Sequence, residues 1–289
     1  MSDKMIARYW EKAEARNVRC LLCPHACHIR PGRTGRCLVR KNIDGQLIAN
    51  AYGEISSMSI DPIEKKPLKH YYPGSSILSV GSYGCSLSCD FCQNWTIAQR
   101  EVATSLVEPE QLVRQAADYE HAGNIGLAFT YNEPLINIEY VMDCAQMIRK
   151  KGLKTVLITN GYLNSTPFLD LLPYVDAMNI DLKAYSQTFY KDICFGSLKP
   201  VIQSIEAASK SQCHVEVTTL IMPGLNDQES QIEALAVWLA SLSPEIPLHL
   251  TRYFPAYKRA DPDPPSLSHM KHLADLARKH LTFVELGNV

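Results

Sequence analysis

Residues 77–92 read Ile-Leu-Ser-Val-Gly-Ser-Tyr-Gly-Cys-Ser-Leu-Ser-Cys-Asp-Phe-Cys. The apolar run 77–80 is typical of a buried strand. Three cysteines follow it in a C-x3-C-x2-C spacing, at Cys85, Cys89 and Cys92. Three thiolates on one short loop can hold three irons of a [4Fe–4S] cluster and leave the fourth iron open to another ligand. This stretch therefore predicts a strand that delivers a metal-binding loop.

Two other interpretations of this cysteine loop (residues 85–92) are weaker. The glycines and polar residues in and before the loop, such as Gly84, Ser86 and Asp90, argue against a simple set of buried thiols. A tetrahedral zinc site needs a fourth ligand, and no cysteine or histidine follows closely. We therefore predict an iron–sulfur cluster at this loop.

The composition limits the class of protein. The 289 residues are 46% hydrophobic and 20% charged, with a formal net charge of -1, so nothing indicates a nucleic-acid partner. No apolar stretch reaches the roughly 20 residues that a membrane span requires, and residues 1–17 lack an apolar signal core. We therefore expect a cytoplasmic protein whose 10 cysteines are metal ligands or free thiols rather than disulfides.

From residue 77 onward, apolar runs alternate with helical patterns. Strands are predicted at 77–82, 125–130, 155–159, 177–182, 215–221, 248–253 and 282–286. Helices are predicted at 109–122, 135–151, 167–172, 200–211, 228–241 and 266–281. This alternation is typical of an α/β protein with a parallel sheet, closed or partly closed into a barrel. We expect a barrel over residues 76–289 and a cysteine-rich N-terminal extension over residues 1–75.

Polar residues stand at the ends of the predicted strands, where barrels carry their reactive groups. Asn132 and Glu133 follow the second strand, and Asn160 follows the third. On the fourth, Asp181 and Lys183 share one face because side chains alternate along a strand. This pair is either a buried ion pair or a binding site for a ligand with both a cationic and an anionic group.

The fifth and sixth strands carry similar inward polar positions. Glu216 and Thr218 alternate with valines, and His249 and Thr251 alternate with leucines. Each is either a satisfied polar group of the core or part of the same site. Together with the earlier strand ends, they predict a pocket for a polar, zwitterionic cofactor next to the cysteine loop.

The cysteine loop, with Phe91 before its third cysteine, resembles the motif of the radical S-adenosylmethionine (SAM) superfamily. Asn132-Glu133-Pro134 is similar to that family's Gly-Gly-Glu-Pro segment, with side-chain contacts expected to replace backbone ones. Asp181-Leu182-Lys183 resembles the Asp-Leu-Lys of pyruvate formate-lyase activating enzymes. Residues 61–74, 91–95, 131–134, 223–227 and 286–289 are similar to "AmmeMemoRadiSam system" radical SAM enzymes over almost the whole chain.

The resemblance implies a partial (β/α)6-type radical SAM barrel, of the TIM-barrel kind, that binds a [4Fe–4S] cluster and SAM. Reduction of the cluster would cleave a C–S bond of SAM and release a 5′-deoxyadenosyl radical. An electron donor such as flavodoxin or ferredoxin is implied. The cofactor contacts expected from the strand ends and the resemblance are Phe91, Asn132, Glu133, Asn160, Asp181, Lys183 and His249.

The resemblance leaves the substrate open. It is either a glycine of a partner protein, as in glycyl-radical activation, or a small molecule or another protein residue. Cys194 and His249 are the candidates for catalytic residues. A function of another class, a non-catalytic iron–sulfur or zinc protein, is disfavoured by the inward Asp181–Lys183 pair, because an electron carrier needs no pocket for a zwitterion.

A second set of cysteines lies near the N-terminus in a C-x2-C-x3-C-x9-C spacing. Four soft ligands within 18 residues suit zinc or a second iron–sulfur cluster, and reduced buried thiols are the alternative. We favour zinc here, since a closed four-ligand site suits a small cap. This N-terminal cysteine set comprises Cys20, Cys23, Cys27 and Cys37.

Overall fold

The computed structural model describes residues 5–289. The strands are β1 (Trp10–Lys12), β2 (Val18–Cys20), β3 (His28–Ile29), β4 (Arg40–Ile43), β5 (Gln46–Ala49), β6 (Glu54–Ile55), β7 (Ser57–Pro62), β8 (Ser76–Gly81), β9 (Ser105–Leu106), β10 (Asn124–Phe129), β11 (Lys154–Thr159), β12 (Ala177–Asp181), β13 (His214–Ile221), β14 (Leu248–Arg252) and β15 (Val284–Gly287). The helices are α1 (Trp95–Ala98), α2 (Pro109–Asp118), α3 (Ile138–Lys150), α4 (Ser165–Leu171), α5 (Gln187–Asp192), α6 (Leu198–Ser209), α7 (Glu229–Leu242) and α8 (Leu267–Ala277).

One eight-stranded sheet organises the chain, in the order β15-β14-β13-β12-β11-β10-β8-β7. Its first seven strands in this order are mutually parallel, and they are the seven strands predicted from the apolar runs. The α/β prediction is therefore confirmed. Because parallel strands run in one direction, their carboxyl ends meet on one face of the sheet, where polar loops follow them.

Strand β7 was not predicted, and it lies on the N-terminal side of the boundary drawn at residue 75. It pairs antiparallel with β8 over six residue pairs, from Ser57 with Gly81 to Pro62 with Ser76. Its sequence, Ser-Met-Ser-Ile-Asp-Pro, is polar and mostly solvent-accessible, as expected of an edge strand that ends in proline.

The sheet stays open between its two edge strands, β7 and β15. Side chains from the loop after β7 reach across to β15 at this seam. Lys69 Nζ lies 3.0 Å from Glu285 Oε2, and His70 Nε2 lies 3.3 Å from Glu285 Oε1. The molecule is thus a partly closed barrel whose seam is bridged by ionic contacts.

The helices follow their sequence signals. Pro109 is the first residue of α2, and Glu108 and Gln111 form a capping box there. Gly152, with φ 76°, ends the α3 segment in the left-handed conformation that glycine adopts without strain. Apolar faces of the helices pack on the sheet in one continuous core that includes Leu112, Ile148 and Leu239.

The N-terminal segment forms small sheets of its own. Strands β1, β2 and β3 make an antiparallel sheet, and β4 and β5 make a hairpin that turns at Asp44 and Gly45. Within residues 5–289, no helix combines the length and apolar character needed to cross a membrane.

Candidate functional site

A cavity of about 1190 Å³, counting space open to solvent, lies at the carboxyl ends of the parallel strands. Most of the predicted site residues line it. Those residues are Cys85, Cys89, Phe91, Cys92, Asn132, Glu133, Asn160, Asp181 and Lys183. The loops after four different strands thus converge on one space, as the strand-end pattern predicted.

The cysteine loop is buried although its sequence is polar. Ser86 is 1% exposed and Cys89 is 8% exposed, so the argument from polarity against burial was wrong. Hydrogen bonds explain the difference, because neighbouring segments satisfy the loop backbone. Gln99 Nε2 donates to the Leu87 carbonyl at 3.0 Å, and the amide of Ser88 donates to the Cys194 carbonyl at 3.1 Å.

The Asn132 side chain fixes the backbone of residues 82–84, which leads into this loop. Its Oδ1 accepts a hydrogen bond from the Ser82 amide at 2.8 Å, and its Nδ2 donates to the carbonyls of Tyr83 (3.0 Å) and Gly84 (3.1 Å). The side chain is therefore engaged by the protein itself, and its contact with a cofactor stays a prediction. Gly84 is required here: its φ is 83°, and an added Cβ would lie 2.2 Å from the Cys37 carbonyl oxygen.

The three thiols suit iron ligation. Burial raises the pKa of Cys85 well above its ordinary value and raises that of Cys92 to about 11, so thiolates form here only beside a cation. Two N–H groups already point at Cys85 Sγ, from Leu87 N at 3.4 Å and Asn160 Nδ2 at 3.5 Å. Such donors stabilise a sulfur that carries negative charge.

Asp181 and Lys183 form an ion pair on the cavity wall, with Lys183 Nζ 2.6 Å from Asp181 Oδ2. Burial opposes the charge of the ammonium, but the facing carboxylate outweighs it and raises the pKa of Lys183. The side chains are 19% (Lys183) and 29% (Asp181) exposed, which leaves both accessible from the cavity. An ammonium and a carboxylate can contact the carboxylate and the hydroxyl or amino groups of a zwitterionic ligand.

Glu133 joins the ends of β10 and β11. Its Oε1 accepts from the Leu135 amide (3.0 Å) and the Thr159 hydroxyl (2.7 Å), and its Oε2 accepts from the Asn160 amide (2.8 Å). Burial raises the pKa of Glu133 to about 7 despite these donors. The carboxylate therefore shapes the cavity wall as well as lining it.

His249 and Cys194 do not line this cavity. His249 Nε2 lies 2.5 Å from Glu216 Oε2, deeper in the barrel, where both residues are buried. Cys194 is fully buried behind Cys89, and the hydrogen bond between these two thiols is the largest cause of a raised pKa at Cys89, followed by burial. His249 contacts Glu216 inside the barrel, not the cavity where its cofactor contact was expected.

Other lining residues escaped the sequence analysis. Pro67 reaches the cavity from the loop after β7, and Tyr131 lines it beside Asn132. Tyr131 Oη donates to Asp61 Oδ2 at 2.7 Å, and Lys66 Nζ lies 2.7 Å from the same atom. The sequence signal was the resemblance of residues 61–74 and 131–134 to the same family, which does not reveal where their side chains lie.

The N-terminal cysteine set lies together around a second cavity of about 330 Å³, counting the gaps between atoms and space open to solvent. All four of its thiols are free. Within residues 5–289, neither cysteine set nor any other group of three or more His, Cys, Asp or Glu side chains is arranged to hold a single metal ion. The zinc or second iron–sulfur cluster expected at this set stays a prediction.

A sequence profile described as the Radical SAM superfamily matches residues 79–236. An uncharacterized protein of Methanocaldococcus jannaschii is 40% identical over 288 residues, covering 98% of this chain and 85% of that protein. The chain therefore belongs to the radical SAM superfamily and is an enzyme. Membership implies a [4Fe–4S] cluster and SAM as its cofactors.

Two more distant proteins are also similar to this chain, one in sequence and one in structure. The pyruvate formate-lyase-activating enzyme of Clostridium pasteurianum is 25% identical over 156 residues, covering 53% of this chain and 65% of that enzyme. The match thus spans less than two thirds of the activating enzyme. The crystal structure of Streptococcus suis SuiB bound to S-adenosylmethionine superposes with a TM-score of 0.56 at 14% identity, covering 76% of this chain and 52% of SuiB. That similarity shows a common fold.

Proposed function

We propose that this enzyme binds its [4Fe–4S] cluster through Cys85, Cys89 and Cys92 and cleaves SAM reductively to act on a substrate not yet identified. One observation carries the proposal: the three cysteine thiols and the Asp181–Lys183 pair line a single cavity. A three-cysteine set leaves one iron open. A charged pair beside it suits a ligand with an ammonium and a carboxylate.

Cys85, Cys89 and Cys92 would hold the cluster, which when bound would supply the electron for reductive cleavage of a C–S bond of SAM. Lys183 would face an anionic group of the ligand, and Asp181 would accept from its hydroxyls. Phe91, buried and packed against Phe189 with ring centroids 5.9 Å apart, offers an apolar wall. Asn132 and Glu133 would act mainly by fixing the loops.

The electron required for this step would come from a protein donor of the flavodoxin or ferredoxin class. The ammonium of Lys183 and the N–H donors on Cys85 bias the loop toward holding negative charge, which favours reduction of a bound cluster.

A second candidate substrate is a glycine of a partner protein. It is supported by the similarity to the pyruvate formate-lyase-activating enzyme over about half of this chain. A cavity that includes open space toward solvent suits entry of a peptide segment, and equally a small molecule. Product analysis with candidate proteins would separate these substrates.

The decisive experiment starts with anaerobic reconstitution of the protein with iron and sulfide, followed by dithionite and SAM. We expect 5′-deoxyadenosine, measured by chromatography and mass spectrometry. Methylthioadenosine would instead indicate transfer of the aminocarboxypropyl group through another C–S bond. A reconstituted cluster that leaves SAM intact would overturn the proposal.

The matched variants are Cys89→Ala and Cys213→Ala. Cys89 lines the cavity, whereas Cys213 is an isolated buried thiol that lines neither cavity. We expect Cys89→Ala to reduce 5′-deoxyadenosine to background and Cys213→Ala to retain it. Equal product from both variants would remove the assignment of Cys89 as a ligand.

A further inference from the structure

The four side chains of the N-terminal cysteine set line one enclosed space. Cys20 and Cys37 are 5% and 7% exposed, and Cys23 and Cys27 are partly buried. All four side chains face the same cavity of about 330 Å³. The β2–β3 turn supplies two of them, and the segment before β4 returns Cys37 to the other side.

The spacing of these thiols argues against a single zinc ion. Four thiolates on tetrahedral zinc, with Zn–S bonds of about 2.3 Å, bring the sulfurs within about 3.8 Å of one another. No three of these side chains, nor any other such group in residues 5–289, meet the requirement for one ion. The cysteine loop of the SAM site does not meet it either, although its superfamily binds a cluster there. Each iron of a cubane takes one thiolate, so the thiols stand apart around the cluster.

A buried cation completes this cavity. Arg40 is 1% exposed and lines it, with the Nη1 atom 2.7 Å from Glu139 Oε2. Its Nε–H, also buried, has no hydrogen-bond partner of good geometry among the described residues, and the guanidinium lies beside the Cys20 thiol. Buried N–H groups are nearly always paired, so this one favours an acceptor on the cavity side, at or beside the Cys20 sulfur. Thiolate and sulfide sulfurs of a negatively charged cluster are such acceptors.

The second cavity lies against the loop of the first. His25 Nε2 is 2.8 Å from the Ser86 carbonyl. Ser86 lines the second cavity, whereas its neighbour Cys85 lines the first cavity, at the carboxyl ends of the strands. The Cys37 carbonyl packs on Gly84. The two cysteine sets are therefore separated by a single layer of backbone.

We propose that the N-terminal cysteine set binds a second [4Fe–4S] cluster, with one cysteine thiolate on each of its four irons. Each thiol would release its proton on ligation. Because all four irons are then held by protein, this cluster has no open iron and does not bind SAM. The proposal goes beyond the proposed function and does not depend on it.

Metal analysis of the native protein tests the proposal directly. After anaerobic reconstitution with iron and sulfide in the presence of equimolar Zn²⁺, we expect about eight irons and about eight sulfides per chain. About four irons with one zinc, or about four irons with no second metal, would overturn the proposal. This count does not depend on any variant folding correctly.

A triple variant isolates the second site. Cys85→Ser, Cys89→Ser and Cys92→Ser together should retain about four irons and four sulfides, with a reduced-cluster EPR signal that added SAM does not change. The same signal in the native protein should contain an additional component that SAM alters. A triple variant that folds, as judged by circular dichroism, but holds no iron would contradict the proposal.

The complementary and control variants complete the test. Cys37→Ser in the native chain should lower the iron count toward about four while leaving the SAM-sensitive EPR component, whereas Cys213→Ser should leave the count unchanged. Loss of the SAM-sensitive component alone from Cys37→Ser would contradict the assignment. Failure of SAM cleavage with eight irons retained would instead count against the proposed function, so the two failures are distinguishable.

Discussion

The two ends of the barrel interior differ in how their polar groups are used. Near the amino end, Glu216 is fully buried and accepts from the amides of Lys69 (3.1 Å) and His70 (2.9 Å) and pairs with His214 (2.9 Å) and His249 (2.5 Å). At the carboxyl end, Lys183 pairs with Asp181 and still faces the cavity. An ammonium has three donors, so Lys183 retains capacity for a ligand, whereas the lone pairs of Glu216 are taken.

This contrast separates the inward polar residues that stabilise the fold from those that can bind a ligand. A group whose partners all come from the chain fixes the fold, because removing it leaves those partners unpaired. A group with spare capacity in a cavity is available to a ligand. Substitutions at the two ends should therefore separate stability from SAM affinity.

The largest effect is expected for Glu216→Gln. Burial alone would raise the pKa of Glu216, but hydrogen bonds from His214 and His249 and from the His70 amide lower it to about 2. A fall from 4.5 to about 2, at about 1.4 kcal/mol per pKa unit, corresponds to about 3 kcal/mol of stability. This stability is present above pH 4.5 and is lost as the pH falls toward 2. Urea unfolding of the apo-protein should show the variant's deficit at pH 7 and a shrinking deficit below pH 4.5.

Glu229→Gln is the matched control, since Glu229 is exposed and its one ion-pair partner within residues 5–289 is the exposed His272. We expect little change from it at any pH. A deficit for Glu216→Gln that is the same at pH 7 and pH 3, or a loss of SAM affinity without a loss of stability, would break the comparison.

Lys183→Ala should weaken SAM binding by about 10- to 100-fold, because a hydrogen bond to a charged group contributes about 1.5–3 kcal/mol. Its effect on the free energy of unfolding should be smaller than that of Glu216→Gln. Equilibrium dialysis with the reconstituted, unreduced protein measures the affinity. Lys65→Ala, at a side chain 69% exposed, is the control and should bind SAM normally. Unchanged affinity in Lys183→Ala would remove its assigned role.

Thr219→Val should destabilise the protein by about 1 kcal/mol. The Thr219 hydroxyl donates to the Leu182 carbonyl at 2.8 Å in a buried position, and valine has the same shape without the donor. Denaturant unfolding measures the loss. Leu182 stands between Asp181 and Lys183, so SAM affinity should also fall, but only slightly. A fall as large as that of Lys183→Ala would show that the end of the strand moves as a unit.

The smallest effect is expected for His272→Ala, at most about 0.5 kcal/mol. His272 Nε2 pairs with Glu229 Oε1 at 2.9 Å, but both side chains are more than half exposed. Thermal unfolding provides the measurement. A loss comparable to that of Glu216→Gln would mean that partner geometry alone, without burial, sets the contribution of a pair.

The sequence predicted the seven parallel strands because each is an apolar run bounded by turn residues. It also predicted that Glu216 and His249 point inward. It could not assign them to stability, because the amides that bind Glu216 come from residues about 146 positions away along the chain. The same limit explains the largely buried cysteine loop, whose hydrogen-bond partners include Gln99, just after α1, and the Cys194 carbonyl.

Strand β7 has a consequence for the behaviour of shortened chains. It covers β8, whose six residues are nearly all buried, along the whole edge of the sheet. A chain that began at residue 76 would present an apolar strand with unpaired amides and carbonyls to its neighbours. Such edges template strand addition between molecules. We therefore expect the isolated barrel to aggregate, and the small polar strand to be the feature that keeps molecules of this enzyme apart.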